Sequence, residues 1–182
     1  MPGRAYNEIF ELAADQHGLV TTVQAREHGI QPQTLVMMAQ RGALVQVSRG
    51  VYRISQFPHT NLSVYMEAIL WPTPALATLS HESALEMFGI SDVNPSKVHV
   101  TVPLKYRVRR ALPKHLELHR ADLKETDLTV REGLRITTVE RTIRDCHATD
   151  SGPAVVAQAI LDAEQQGLIT PTSANNLRKL CI

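Results

Sequence analysis

His115, Glu117 and His119 stand at alternate positions in the stretch HLELH. Side chains two apart on a strand share a face, so this spacing first suggests a metal-binding trio. It is not the zinc-hydrolase pattern, in which two histidines one helical turn apart hold the ion and a glutamate between them is the base. Polar residues on a strand edge explain it, and no metal is expected. Ser80, His81 and Glu82 are consecutive in SHESALEMFG. A catalytic triad draws its members from different elements, so adjacency is the wrong geometry. Ser80 reads as a helix cap and His81 as a packing or hydrogen-bonding residue. In TVERTIRDC, Glu140 with Arg144 and Arg141 with Asp145 are four apart, which predicts ion pairs within one helix. No glycine-rich phosphate loop and no paired carboxylates stand out. No catalytic residue and no cofactor are expected.

The remaining chemistry is cationic. Lys and Arg total 19 and Asp and Glu 18, a net charge of +1, so overall charge names no partner. Locally the charge is segregated. The first helical stretch carries Glu8, Glu11 and Asp15 against Arg4, whereas Arg26, Arg41, Arg49 and Arg53 face only Glu27 over residues 26–53. Phosphate contacts need such a local excess. A second excess lies in LKYRVRRALPKHLELHR (104–120), with Lys105, Arg107, Arg109, Arg110, Lys114 and Arg120 against Glu117. Tyr106 is interleaved. On a loop between two strands it forms a basic surface for nucleic acid, for an acidic protein, or simply for water.

These residues need elements to position them. Ile9, Phe10, Leu12, Ala13 and Ala14 recur at helical spacing over 5–17, and Gly18 ends the run. LVTT (19–22) predicts a short extended piece, with Thr22 as cap of a second helix over 23–28. Pro32 suits the first turn of a third helix that runs to about Arg41. In it Leu35, Met38 and Ala39 form an inner face, leaving Gln33, Thr34, Met37 and Arg41 outside. Alternation in QVSRGVYRI then predicts a hairpin with Arg49 at its tip and Gly50 at positive φ. Three short helices and a hairpin make a winged helix-turn-helix. Its third helix would enter a major groove, where Gln33 and Thr34 reach base edges and Arg41, Arg49 and Arg53 hold phosphates. A protein-interaction platform is the bland alternative.

SQFPHT (55–60) reads as a linker. Helices are expected over 61–71, 79–90, 138–148, 153–167 and 170–180, and strands over 96–103, 115–121 and 133–138. The fold class is therefore α+β: a winged helix-turn-helix at residues 1–57, then a mixed α/β domain at 61–182. Cys146 and Cys181 lack metal-ligand spacing, which fits a reduced cytoplasmic protein. Acids interrupt the N-terminal stretch where a signal peptide is apolar. Pro72 and Pro74 cut the most apolar zone, so no membrane partner is expected.

The stretch GLVTTVQAREHGIQPQTLVMMAQRGALVQVSRGVYRI resembles the N-terminal winged helix of AbiEi-type antitoxins, chiefly in Gly18–Thr22, AREHGI and RGALVQVSRGVYRI. LSHESALEMFGI, KVHVTVP and LRITTVERTIRDC are similar to the family's second domain. The resemblance implies a cytoplasmic antitoxin encoded beside a nucleotidyltransferase-like toxin. It implies repression of the protein's own operon through inverted repeats in double-stranded DNA, and toxin neutralisation by the second domain, with or without direct contact. It places the DNA residues at Gln33, Thr34, Arg41, Arg49 and Arg53, with Met37 on the same face. A basic face on the second domain would assist, here Lys105, Arg107, Arg109 and Arg110. Related chains fuse this winged helix to a nuclease-like domain. No carboxylate–lysine motif is evident in 61–182, so that activity is not carried over, and a winged-helix-guided nuclease or other nucleic-acid-processing enzyme is the alternative.

Overall fold

Thr21, not Thr22, starts the second helix, because only Thr21 has a glutamine three residues on. In the computed structural model, which describes residues 3–75, 77–108 and 110–181, Gln24 N–H donates to Thr21 Oγ1 at 3.1 Å and Thr21 N–H donates to Gln24 Oε1 at 2.9 Å. The two bonds form a capping box. Around it run α1 (Arg4–Ala14), β1 (Leu19–Thr21), α2 (Thr22–Glu27), α3 (Pro32–Gln40), β2 (Leu44–Ser48), β3 (Val51–Ile54) and α4 (Asn61–Leu70).

The strands form an antiparallel sheet in the order β1-β3-β2, with Val20 opposite Tyr52 and Val45 opposite Arg53. The register shifts between Gln46 and Ser48, a bulge in the β2–β3 hairpin. One core unites the elements: Ile9 and Ala13 of α1, Val20, Ala25, Ile30, Leu35, Leu44, Tyr52 and Ile54. Met38 and Ala39 pack against it half-buried, as the helical period predicts. This is a winged helix-turn-helix, with the β2–β3 hairpin as the wing.

The chain divides into two compact units, Met1–Ala77 with Glu132–Leu134, and Thr78–Arg131 with Arg135–Ile182. The sequence reading placed α4 at the start of the second domain, but it groups with the first unit, where it packs on β1. The stretch read as a linker is tied to that unit too. Phe57 packs on the core, and Ser55 N–H donates to Ala43 O at 3.1 Å.

The second unit holds β4 (Thr78–Leu79), α5 (His81–Phe88), β5 (Val98–Val102), β6 (Leu116–Arg120), β7 (Leu128–Arg131), β8 (Leu134–Thr137), α6 (Val139–Ala148), α7 (Pro153–Gln165) and α8 (Pro171–Cys181). Its sheet runs β6-β5-β4-β8-β7. β4 and β7 escape a periodicity reading: β4 has two residues, and β7 shows little burial alternation. β5 and β6 pair in parallel, Val98 opposite Leu116. The basic stretch between them is therefore a crossover and not a hairpin turn.

Gly18 closes the joint between α1 and β1 at φ +82°, and a β-carbon there would lie 2.5 Å from Phe57. Both the left-handed backbone and the contact oppose a side chain. Gly18→Ala is expected to destabilise the first unit by more than about 1 kcal/mol, read as a lower urea midpoint. An unchanged midpoint would mean that Phe57 yields freely.

Candidate nucleic-acid interface

Leu35 has no exposed surface, and that sets which side of α3 faces water. Gln33, Val36, Met37 and Gln40 are all exposed and lie at i, i+3, i+4 and i+7, one face of the helix. Arg41, the C-cap, extends this face and is exposed. Thr34 is half-buried, at its margin. Of the residues named from the sequence, Gln33, Met37 and Arg41 thus come together and Thr34 sits to one side. Val36 and Gln40 were missed, although the i, i+3, i+4, i+7 spacing from Gln33 points to both.

Arg26 on α2 and Arg49 at the wing tip are also exposed. Gly50 beside Arg49 takes φ +81° and accepts from Thr22 N–H at 2.9 Å, which seats the hairpin on the start of α2. Arg53 is placed differently. It lies on the central strand, half-buried, and its Nη1 donates to Phe57 O at 2.7 Å. Its Nε is buried without a partner. A guanidinium held this way supports the chain after β3 and is poorly disposed to a phosphate.

In the second unit, Lys105 and Arg107 are exposed on the β5–β6 crossover. Arg107 Nη1 donates to Leu104 O at 3.2 Å, which folds its guanidinium back on the loop. Arg110 is half-buried, and Arg109 lies outside the described residues.

The HLELH trio does not assemble. His115 precedes β6 and is exposed. His119 turns instead to two histidines of other elements: its ring stacks on His81 of α5 with centroids 3.5 Å apart, and its Nε2 lies 3.0 Å from Nδ1 of His99 on β5. No group of three His, Cys, Asp or Glu side chains among the described residues is placed to hold a metal ion. The stacked rings of His81 and His119 do not converge on one point. His99 could have been found from the sequence, because VHVTV turns valines to one face and His99 and Thr101 to the other.

Ser80 does not cap α5 with its side chain. Its hydroxyl accepts from Thr101 Oγ1 at 2.8 Å and lies 2.9 Å from His81 Nδ1. Ser80 and His81 are 0% and 4% exposed, out of reach of a substrate. His81 also takes φ +53°, a conformation bulky side chains rarely adopt. The burial and contacts of this residue hold it there.

A cleft of about 590 Å³ in the second unit is lined by Asp122, Lys124, Asp127, Arg141, Arg144 and Asp145, among others. Arg141 ties its floor together, with Nη1 at 3.1 Å from Asp127 and Nε at 2.8 Å from Asp145. The expected Arg141–Asp145 pair is thus present, whereas no Glu140–Arg144 ion pair forms among the described residues. Burial raises the Asp145 carboxyl above its usual range, against the hydrogen bond from Arg141. Burial also pushes the Cys146 thiol up to about 12, which leaves it inert.

Burial lowers all three stacked histidines. His81 falls to about 3, helped by His119, His99 and Arg141, and His119 to about 4, helped by His99. His99 is lowered by burial against the pull of Glu82 and Glu117. The unfolded chain therefore binds more protons than the folded one below the ordinary histidine pKa of about 6.5. The contribution of the cluster is complete above that pH and is lost as pH falls toward 4. Thermal melts of the full chain should show a lower Tm at pH 5 than at pH 7.5, and His81→Asn should narrow the difference. Equal pH sensitivity in the variant would place the acid-labile groups elsewhere.

With the geometry in hand, comparison with known proteins finds three things. Residues 7–55 match the family described as a transcriptional regulator, AbiEi antitoxin. The chain is similar over 97% of its length, and over 71% of the other chain, to the RV2827C protein from Mycobacterium tuberculosis, with a TM-score of 0.54 and 18% identity. At that identity the likeness is one of fold. No curated protein matches. The family matched by residues 7–55 is the one that GLVTT, AREHGI and RGALVQVSRGVYRI resemble, and the match lies within the N-terminal unit.

Proposed function

We propose that the protein is the antitoxin of a toxin–antitoxin pair and a DNA-binding autorepressor of its own operon, acting in the cytoplasm against a nucleotidyltransferase-like toxin. The observation that carries the DNA half is the outward face of α3, open to solvent and bordered by Arg41. Laid in a major groove, this face meets base edges while Arg41, Arg26 and Arg49 meet phosphates. Two copies on inverted repeats would place two such helices on one side of the duplex. Lys105 and Arg107 are exposed and suit an accessory backbone contact. Arg53 supports the hairpin instead of the DNA. The second unit is assigned to toxin neutralisation from the resemblance of LSHESALEMFGI, KVHVTVP and LRITTVERTIRDC alone, since the family match lies within residues 7–55. Among the described residues no helix is long and apolar enough to cross a membrane.

Titration of the full chain with a duplex from upstream of its own gene, over a range of salt, tests the reading. If Arg41 neutralises one phosphate, Arg41→Ala should weaken binding and shrink the log–log salt slope by about one. Arg53→Ala should keep the slope and lower Tm, since Phe57 loses its donor. No binding by the wild type at low salt would end the repressor reading. Specific cleavage of DNA or RNA in Mg²⁺ by the pure protein would favour the nuclease alternative.

A further inference from the structure

Val36 is 45% exposed and Met37 48% exposed, side by side on a helix that buries Leu35 completely. Gln33 and Gln40 flank them, and no acidic or basic residue lies within α3. Cations stand only around it, at Arg41 beyond its last turn and at Arg26 on α2. An apolar centre, an amide at either side and positive charge at the border is a pattern with a specific complement in duplex DNA.

The thymine methyl is the apolar group that the major-groove edge of unmodified DNA presents, and glutamine pairs in bidentate fashion with adenine N6 and N7. One A·T pair offers both. Reading guanine commonly takes an arginine or lysine aimed at O6 and N7, and α3 offers neither within its length. We propose that α3 selects A·T pairs by seating Val36 and Met37 against thymine methyl groups, with Gln33 and Gln40 on the neighbouring adenines. This rests on the DNA-binding reading and names the base pairs it would choose. A protein partner would cover the same apolar pair, but it gives no reason for the flanking amides and bordering arginines to occur together.

The test separates this inference from the reading beneath it. The full chain is used to select sites from a pool of random-sequence duplexes. The enriched site is then made with deoxyuridine in place of thymidine, position by position, which removes the methyl and leaves the hydrogen-bonding edge unchanged. Binding should weaken about three- to fourfold for each methyl contacted. Val36→Ala with Met37→Ala should weaken binding to thymidine duplex and lose the sensitivity to deoxyuridine. Both residues are exposed, so the double variant should keep the wild-type Tm. A selected site that binds equally with deoxyuridine, or a double variant that still senses the methyls, overturns the assignment while DNA binding stands. A pool that is retained without enrichment overturns the base selection, and a pool from which no duplex is retained at low salt overturns the DNA-binding reading itself.

Discussion

Burial of Leu35 sets the orientation of the candidate surface. A helix turns about 100° per residue, so once Leu35 faces the core the azimuth of every other α3 side chain follows. Met38 and Ala39 come to the flanks of the core, and Gln33, Val36, Met37 and Gln40 come to water. Leu35 shares one core with residues of other elements, Ile9 from α1, Leu44 from the wing and Tyr52 and Ile54 from the central strand. Such a residue holds the rotation of α3 against each of them. Truncating a side chain of this kind costs about 2–5 kcal/mol, and the same loss would free α3 to roll and disperse its outward face.

The first unit was largely legible because its signals are local and agree with one another. Helical period, glycine stops, Pro32 at a first turn and alternation in the hairpin all lie within a few residues of the structure they specify. The misreadings there were small and have local causes. Thr21 displaced Thr22 as cap because Gln24 completes its box. Arg53 looked like one more wing cation because sequence shows charge but not direction. Its Nη1 is taken up by the carbonyl of Phe57, four residues on, a contact that charge alone does not announce.

The second unit was legible as elements and not as topology. The valine face of β5 announced a strand, yet nothing near Val98–Val102 says that β6 runs parallel to it or that β4 lies on its other side. Those pairings depend on contacts distant in sequence. The histidine stack has the same origin. His81, His99 and His119 belong to a helix and two strands, and only the parallel register, which sets Thr101 opposite His119, brings them to one place. Spacing within HLELH pointed to a trio on one strand, whereas the structure recruits one member of it and supplies the others from elsewhere.

Net charge says little about this protein because its charges are divided by duty. Some cations are held by carboxylates of their own unit, as Arg141 is by Asp127 and Asp145, and as Lys97 is by Glu117 at 2.6 Å. Others, such as Arg26 and Arg41, stand exposed on the elements that frame α3. The formal sum of +1 counts both kinds alike. A duplex does not, because a cation already hydrogen-bonded to a carboxylate must break that contact before it can replace a counterion. In the first unit it is therefore the position of Arg26 and Arg41, and not the balance of charge, that matters. Arg41 also extends the helix face whose side chains are left without a partner in the core.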